Sequence, residues 1–369
     1  MEELIGLYIH IPFCLKKCNY CDFASYSGME NIQEQYIEAV SAEMRKHKGI
    51  KLDSVFMGGG TPTALNSALI KRILDEINKN FILSEDCEFT CEANPGTIDE
   101  EKLLVLKNGG VNRLSIGVQS FNDKELEALG RVHNSRIAIE SIKLAKKYFH
   151  NINIDIMTNI PFQTKESLKN TLDIALGLET EHISCYSLII EEGTLFHKMY
   201  EEGKLSLWDD EEDRLIFKEV CEILKKKGYE RYEISNFAKP QKRSRHNLKY
   251  WNTNEYIGIG AAAHSCYNNK RFSNSEDIYE YINNPIEPKE VMELSVDDRI
   301  GEYIIMSLRT ADGVDTKEFK MCFNKDFDVV YGSLIAKYTK LKMLRKTCTG
   351  YALTEEGMDV SNRIMCEFV

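Results

Sequence analysis

Residues 7–23, LYIHIPFCLKKCNYCDF, join an apolar strand-like run to three closely spaced cysteines, and this stretch decides the fold. Cys14, Cys18 and Cys21 have the spacing C-x3-C-x2-C. Thiolates are the usual protein ligands of iron–sulfur clusters, and three of them can hold three irons of a [4Fe-4S] cube. The fourth iron then lacks a protein ligand and can bind a small molecule, of which S-adenosylmethionine (SAM) is one.

Two other interpretations of the cysteines are possible. Free cysteine is often buried, so the three thiols could belong to an apolar core, but the polar residues Lys16, Lys17 and Asn19 between them disfavour this. A structural zinc site would need a further ligand nearby. The spacing therefore favours a cluster.

The cysteine run after a first strand resembles the signature of the radical SAM superfamily. Within it, LYIHIPFC and CNYCDF resemble the start of the oxygen-independent coproporphyrinogen III oxidase family and its branch of HemW-type heme chaperones. The oxidases carry a further cysteine where this chain has Phe23, directly after Asp22. Only thirteen residues precede Cys14, which leaves no room for the N-terminal extension of the oxidases. Both differences favour the chaperone branch.

Strand-like and helical patterns alternate over the first half of the chain. The predicted strands are Leu7–Ile11, Ser54–Met57, Cys87–Glu92, Arg113–Val118, Ile152–Met157 and Ile183–Ser187. The predicted helices are Ile32–His47, Leu69–Phe81, Glu101–Lys107, Arg136–Tyr148 and Ser167–Leu178. This order predicts an α/β fold with a parallel sheet, and the resemblance implies an open, partial (β/α)6 radical SAM barrel. Functional groups should then lie on loops after the strands' carboxyl ends.

The pattern changes in the second half. We predict a helix over Asp209–Lys227, a short strand at Glu230–Ile234 and a polar loop through Asn252. A further helix, Arg299–Leu308, and a strand near Tyr351 resemble a winged-helix tail. The predicted domains are a radical SAM core at residues 1–235 and a C-terminal α+β domain at residues 236–369.

Composition limits the possible functions. The net charge of −11 and the acidic end of the chain oppose contact with nucleic acid. Eleven cysteines, mostly scattered, and no signal peptide predict a reducing, cytoplasmic location rather than a disulfide framework. No apolar run approaches the length of a membrane-spanning helix.

A glycine-rich loop follows the second predicted strand, in Gly58-Gly59-Gly60-Thr61-Pro62. Consecutive glycines allow a backbone to approach a ligand closely, although an isolated GGG is often only a flexible turn. By resemblance, this loop contacts the methionyl amino group of SAM, and Glu92 accepts hydrogen bonds from a ribose hydroxyl. The resemblance also assigns SAM contacts to Tyr8, Gln119, Arg131 and Asp155.

Other candidate ligands have ordinary interpretations. Cys87 and Cys91 alternate with Glu92 along their strand, so they should pack into the core. His10 lies inside a strand, where a hydrogen-bonded core imidazole is favoured over a metal ligand. His264 follows Gly258 and Gly260 in GIGAAAHS and suits a structural role equally well. We expect no functional role for the histidines at positions 133, 150, 182 and 197.

The segment RHNLKYW at residues 245–251 matches the HNxxYW motif of HemW-type chaperones. A histidine can ligate heme iron, so His246 is the predicted axial ligand, while Tyr250 and Trp251 offer flat apolar area for a macrocycle. Basic side chains nearby could pair with heme propionates; they are Lys239, Lys242, Arg243 and Arg245. The alternative is a solvated basic loop anchored by a structural tryptophan.

The resemblance implies a heme chaperone with a [4Fe-4S] cluster, SAM and heme as cofactors. Its partners would be heme or a porphyrin, hemoprotein recipients and, if SAM is cleaved, an electron donor. The alternative is an oxygen-independent coproporphyrinogen III oxidase, an enzyme that decarboxylates substrate propionates. A zinc-stabilised interaction module is disfavoured, because Glu92, Gln119 and Asp155 would have no common role in it.

Overall fold

A computed structural model describes residues 4–369. Six parallel strands form the centre of its main sheet and pair in chain order. They are β1 (Ile5–Ile11), β2 (Lys51–Gly59), β3 (Ile82–Ala93), β4 (Arg113–Gln119), β5 (Ile152–Thr158) and β6 (His182–Ser187). Alternation along each strand sends apolar side chains to one face and mostly polar ones to the other. Leu7, Ile9 and Ile11 of β1 are fully buried in the resulting core.

Helices connect these strands and cover the outer face. They are α1 (Gln33–Lys46), α2 (Ser67–Asn80), α3 (Glu100–Asn108), α4 (Asp123–Ala128), α5 (Ser135–Ala145) and α6 (Lys165–Gly177), with short 3-10 turns at Glu30–Ile32 and Pro62–Ala64. Asn or Asp side chains accept a backbone N–H at the start of α2 to α5, and Thr164 does so in a capping box at the start of α6. The chain therefore winds as successive βα units.

Further strands extend the sheet at both edges, in the order β12-β11-β10-β9-β1-β2-β3-β4-β5-β6-β8-β7. The added elements are α7 (Leu195–Glu201), α8 (Asp210–Lys226), β7 (Glu230–Arg231), β8 (Asn236–Ala238), α9 (Arg245–Trp251), β9 (Tyr256–Ile259), β10 (His264–Tyr267), β11 (Lys270–Ser273), α10 (Ile278–Asn283) and β12 (Glu290–Glu293). Strand β9 is parallel to β1, whereas β8 is antiparallel to β6.

The end of the chain has its own hydrophobic core, which includes Tyr303, Phe319, Phe327 and Phe368. Its elements are α11 (Val296–Leu308), β13 (Val314–Asp315), α12 (Thr316–Phe323), α13 (Phe327–Lys340), β14 (Leu344–Lys346), β15 (Gly350–Leu353), α14 (Glu355–Met358) and α15 (Ser361–Met365). Strands β13, β15 and β14 form a small antiparallel sheet beside the helices.

The predicted α/β class, the six parallel strands and the partial barrel are confirmed. The polar loop predicted to run through Asn252 is wrong, because residues 245–251 form α9, whose first turn is capped by Ser244. The predicted division at 235/236 falls between β7 and β8, neighbouring strands of one sheet, and stays a prediction. Across residues 4–369 no helix is long and apolar enough to cross a membrane.

Candidate SAM and cluster site

A cavity of about 440 Å³ lies inside the sheet, where the loops after the carboxyl ends of the strands meet. Ten of the twelve predicted site residues line it: Cys14, Cys18, Cys21, Gly59, Gly60, Thr61, Glu92, Gln119, Arg131 and Asp155. They come from five different strand ends, so only the parallel sheet brings them together. Tyr8 and His246 do not line the cavity and lie behind Phe56, whose ring stacks on both of theirs.

The three cysteines lie on the loop that follows β1, and each is half-buried. The backbone N–H of Cys14 donates to the carbonyl of Tyr26 at 2.8 Å, and that of Cys21 donates to the carbonyl of Cys18 at 3.2 Å. Burial raises the pKa of the Cys14 and Cys21 thiols. The Arg131 guanidinium donates to Cys18 Sγ at 3.3 Å and provides the positive charge that a thiolate cluster favours.

The three thiols fit the protein ligands of a [4Fe-4S] cube. Within residues 4–369, no group of three or more His, Cys, Asp or Glu side chains is gathered closely enough to hold one metal ion. A zinc site needs such a group of four. A [4Fe-4S] cube instead takes each thiolate on a different iron, so its ligands can stand further apart.

The glycine loop lies directly against the cysteine loop. Gly60 N–H donates to the carbonyl of Ile11 at 2.9 Å, and Thr61 N–H donates to that of Phe13 at 2.8 Å. A Cβ at Gly60 would lie 2.8 Å from the carbonyl oxygen of Ile11, and one at Gly58 would lie 2.6 Å from a carboxylate oxygen of Glu92. The backbone of Ile11 therefore excludes a side chain at Gly60, and the carboxylate of Glu92 excludes one at Gly58.

Two carboxylates face the interior of the cavity. Glu92 accepts a hydrogen bond from Gly59 N–H at 3.0 Å, and Asp155 accepts one from the Asn153 amide at 2.7 Å. Burial and, secondarily, the charge of Asp155 raise the pKa of Glu92 to about 7. Burial also raises the pKa of Asp155. Carboxylates kept apart from water in this way are suited to accept hydrogen bonds from ligand hydroxyls.

Arg131 connects the cluster loop to the glycine loop. Besides Cys18, its guanidinium donates to the Asn94 side-chain oxygen and to the carbonyl of Gly117. The Asn94 amide nitrogen donates in turn to Thr61 Oγ1 at 2.7 Å. Asn94 was not predicted as a site residue, although it lies directly after the third strand, where functional groups of such folds are expected.

Gln119 has a left-handed backbone, with φ 70°, and its side-chain oxygen accepts a hydrogen bond from Tyr186 at 3.0 Å. A non-glycine residue at such a φ is strained, and strain of this kind occurs at functional sites. The Tyr186 hydroxyl and the strand register hold the amide toward the cavity.

Tyr8 and His10 tie β1 to the loop that follows the cysteines. His10 Nε2 lies 2.8 Å from the carbonyl of Ala24, which can only accept, so Nε2 carries the ring proton. Nδ1 is then an acceptor for the Tyr8 hydroxyl at 2.9 Å. The prediction of a hydrogen-bonded core imidazole is confirmed, and Cys87 and Cys91 are buried in the core as expected. His264 is exposed on β10.

The HNxxYW segment has a different environment from that of the predicted open loop. His246 is fully buried, with Nδ1 3.0 Å from Ser54 Oγ and Nε2 2.8 Å from the Tyr250 hydroxyl. Burial, assisted by Lys249, lowers the pKa of His246 to about 3, so the ring is neutral. In this conformation neither ring nitrogen is free to reach iron. Only Asn247 of the motif lines the cavity.

Two of the neighbouring basic side chains already have acidic partners. Arg243 pairs with Asp312 at 2.7 Å, and Arg245 pairs with Asp86 at 3.0 Å. The guanidinium of Arg309, the residue directly after α11, lies 5.0 Å from the centre of the Trp251 ring. Trp251 thus anchors α9 to the C-terminal core.

Several polar residues of the cavity were not predicted. Arg113, Asn153 and Ser184 lie at inward positions of β4, β5 and β6. The sequence pattern that could have predicted them is a polar residue at every second position of a strand whose other positions are apolar.

Comparison with known proteins identifies the family and the fold. The model of the radical SAM superfamily matches residues 8–175, and that of the HemN C-terminal domain matches residues 294–360. The structure of coproporphyrinogen III oxidase from Escherichia coli aligns with 100% of this chain over 90% of the oxidase chain, with a TM-score of 0.86 at 24% identity. That likeness establishes the fold.

The fold and the cysteine loop define the class as radical SAM proteins, for which the family implies a [4Fe-4S] cluster and SAM. The heme chaperone HemW of Bacillus subtilis is 36% identical over 98% of both chains, and that of Lactococcus lactis is 34% identical over 100% of this chain and 98% of its own. The heme chaperone HemW of Escherichia coli is 37% identical over 70% of this chain. The chain belongs to the HemW family of the radical SAM superfamily.

Proposed function

We propose that this protein is a heme chaperone, which binds a [4Fe-4S] cluster, SAM and heme and delivers heme to hemoproteins. The observation that carries the proposal is the likeness to the HemW relatives over nearly the whole length of both chains. Phe23, where the oxidases carry a further cysteine, supports the same branch and lines the mouth of the cavity.

Each part of the cavity has a role in this proposal. Cys14, Cys18 and Cys21 hold the cluster, and Arg131 balances its negative charge. The backbone of Gly59 and Gly60 allows the methionyl end of SAM to approach, with Thr61 and Gln119 around it, while Tyr8 supports this wall from behind Phe56. Glu92 and Asp155 accept hydrogen bonds from the ribose hydroxyls of SAM. When bound, the cluster and SAM together supply one-electron chemistry, for which a reduced electron donor would be a partner.

His246 remains the predicted heme ligand, and its burial adds a condition. Ligation requires the ring to leave Ser54 and Tyr250, so α9 must move away from β2. A seven-residue helix is short enough to do this locally. Heme binding should therefore be slow relative to diffusion, because it must wait for the opening.

One experiment distinguishes the proposed heme chaperone from the oxidase alternative. The purified protein is reconstituted anaerobically with iron and sulfide, then divided between a heme titration and an assay of coproporphyrinogen III decarboxylation with SAM and a reductant. A chaperone retains heme and shows no decarboxylation.

The chaperone proposal fails, and the oxidase takes its place, if the protein binds no heme or if it decarboxylates coproporphyrinogen III and consumes SAM. The variant Cys14→Ala/Cys18→Ala/Cys21→Ala, which lacks the cluster ligands, is the matched control, because its heme titration is free of cluster absorbance. Residence in the cytoplasm and delivery of heme to hemoprotein recipients are parts of the same proposal.

A further inference from the structure

A buried chain of hydrogen bonds crosses the barrel from α9 to the SAM cavity. It begins at the backbone N–H of Ser244, 3.2 Å from the Tyr232 hydroxyl oxygen. That hydroxyl lies 2.9 Å from His182 Nε2, and His182 Nδ1 lies 2.6 Å from Asn153 Oδ1. The Asn153 amide nitrogen then reaches Asp155 Oδ1 at 2.7 Å.

The chemistry of the two ends fixes the direction of every bond. Asp155 as a carboxylate only accepts, so the Asn153 amide nitrogen faces it and the amide oxygen faces His182. His182 Nδ1 must then carry the ring proton, and Nε2 accepts from the Tyr232 hydroxyl. The Tyr232 oxygen accepts from Ser244 N–H, which only donates. All donors therefore point toward Asp155.

Neighbouring groups support this orientation. Ser184 Oγ lies 3.2 Å from the Asn153 amide oxygen and 3.0 Å from the amide nitrogen, so its hydroxyl can donate to the oxygen in this orientation. Burial lowers the pKa of His182 well below its usual value, in agreement with a single ring proton. Bonds aligned in one direction polarise one another and are stronger together than apart.

The chain is isolated from solvent. Tyr232, His182 and Ser244 are fully buried and Asn153 is 2% exposed. Tyr232 and His182 are shielded from water, so loss of the Tyr232 hydroxyl leaves His182 Nε2 without its partner at a substantial free-energy cost. The two ends of the chain cannot shift independently.

Each end belongs to a different functional region. Asp155 lines the cavity, whereas Ser244 is the N-cap of α9, which carries the HNxxYW motif. The Tyr232 carbonyl also accepts the backbone N–H of Ala311 at 2.9 Å, which joins the C-terminal region to the same point.

We propose that this chain couples the SAM cavity to α9, with Tyr232 and His182 as positioning residues. A ligand that engages Asp155 stabilises the docked position of α9, and release of α9 weakens binding at Asp155 by the same factor, since coupling between two sites is reciprocal. The inference rests on the proposed function only in that the cavity binds SAM.

The test compares two buried tyrosines of one segment in reconstituted full-length protein. Tyr232→Phe removes the hydroxyl from the chain. Tyr229→Phe is the matched control, since Tyr229 is 3% exposed and its hydroxyl donates to the carbonyl of Thr180 outside the chain. SAM affinity is measured by anaerobic equilibrium dialysis, and hydrogen exchange of residues 245–251 is measured with and without SAM.

We expect SAM to slow exchange in α9 of the parent and of Tyr229→Phe. Tyr232→Phe should lose this protection and bind SAM about tenfold more weakly, the size of one buried hydrogen bond. His182→Asn, which keeps a donor for Asn153 but cannot reach Tyr232, should behave as Tyr232→Phe does and carries the test if that variant does not fold.

Equal SAM affinity and equal protection in the Tyr232 and Tyr229 variants would overturn the coupling while the proposed function stands. Failure of the parent itself to bind SAM would overturn both. The two failures are therefore distinguishable.

Discussion

At the scale of single residues, the three cysteines of the loop after β1 differ from the other thiols by their surroundings. Cys14, Cys18 and Cys21 are half-buried on one cavity wall, whereas Cys91 is fully buried in the apolar core. Exposure and a nearby cation favour the thiolate, and burial among apolar groups opposes it. The structure thus separates two C-x3-C spacings that look alike in sequence.

Cys18→Ala should abolish the cluster, because the remaining two thiolates leave two irons without protein ligands. The readout is iron and acid-labile sulfide per chain, with the visible absorption of the reconstituted protein. Cys91→Ala is the control and should keep its cluster with a loss of stability of about 1 kcal/mol. The opposite pattern would falsify the assignment.

Glu92 should make the cluster-free protein less stable as the pH rises. Its pKa is about 7 in the folded protein against 4.5 for an ordinary glutamate. A raised folded-state pKa means that its contribution is fully present below about pH 4.5 and is lost as the pH rises through about 7. Denaturant unfolding at pH 5.5 and pH 8 measures the effect.

Glu92→Gln removes this titration. The loss of unfolding free energy between the two pH values should be smaller in the variant by on the order of 1–3 kcal/mol, from about 1.4 kcal/mol per unit of pKa shift. Parallel losses in parent and variant would mean that Glu92 has an ordinary pKa.

His246 and Tyr250 should have opposite effects on heme if His246 is the ligand. Tyr250→Phe frees His246 Nε2 from its hydroxyl partner and should strengthen heme retention, while His246→Ala removes the ligand and should change the heme absorption spectrum. Cluster content serves as the control, since the cysteines are separate. A purely structural His246 would leave heme retention the same in both variants.

At the scale of elements, the glycine loop fixes the distance between β2 and the cysteine loop. The peptide of Gly60 hydrogen-bonds to Ile11, and the space where a side chain would project is filled by the backbone of residues 11–13. Backbone cannot move aside as the end of a flexible side chain can. The loop therefore tolerates only glycine at this position.

Gly60→Ala should cost about 1–3 kcal/mol of unfolding free energy, as overpacking does, and should weaken SAM binding. Gly177→Ala is the matched control, because its new Cβ would meet nothing within 4 Å at the end of α6. Helix propensity makes that change neutral or slightly stabilising. Urea unfolding and SAM titration of both variants check the prediction, which fails if the two behave alike.

At the scale of the whole molecule, two cores meet at α9. The barrel holds the cavity, the C-terminal core packs through α11, and Arg309 at the end of α11 contacts Trp251 of α9. The arrangement of α12, α13 and the small sheet follows the winged-helix order. The charge of the chain, however, opposes the nucleic-acid contact for which such folds are often used.

We expect no binding of duplex DNA at micromolar protein and about 50 mM salt, conditions that favour even non-specific contacts. The physical reason is the net charge of −11, which repels phosphate. Fluorescence anisotropy of a labelled duplex measures it, with a basic winged-helix protein as the positive control. A salt-sensitive rise in anisotropy would contradict the prediction.

The sequence by itself determined the parallel βα fold, the cysteine and glycine loops and the family, because these depend on local spacing and on alternation of apolar residues. Period-2 alternation also placed Cys91 in the core and Glu92 on the opposite face. Such patterns are complete within a short segment, and so they are readable without the tertiary structure.

The tertiary structure alone decided which side chains meet. Residues 153, 182, 232 and 244 are far apart in the chain, and only the pairing of β4, β5 and β6 with the strands beyond them aligns their hydrogen bonds. The burial of His246 was likewise invisible in sequence, since a polar basic segment predicts a solvated loop. Partners from β2 and from its own helix satisfy both ring nitrogens and allow the imidazole to leave water.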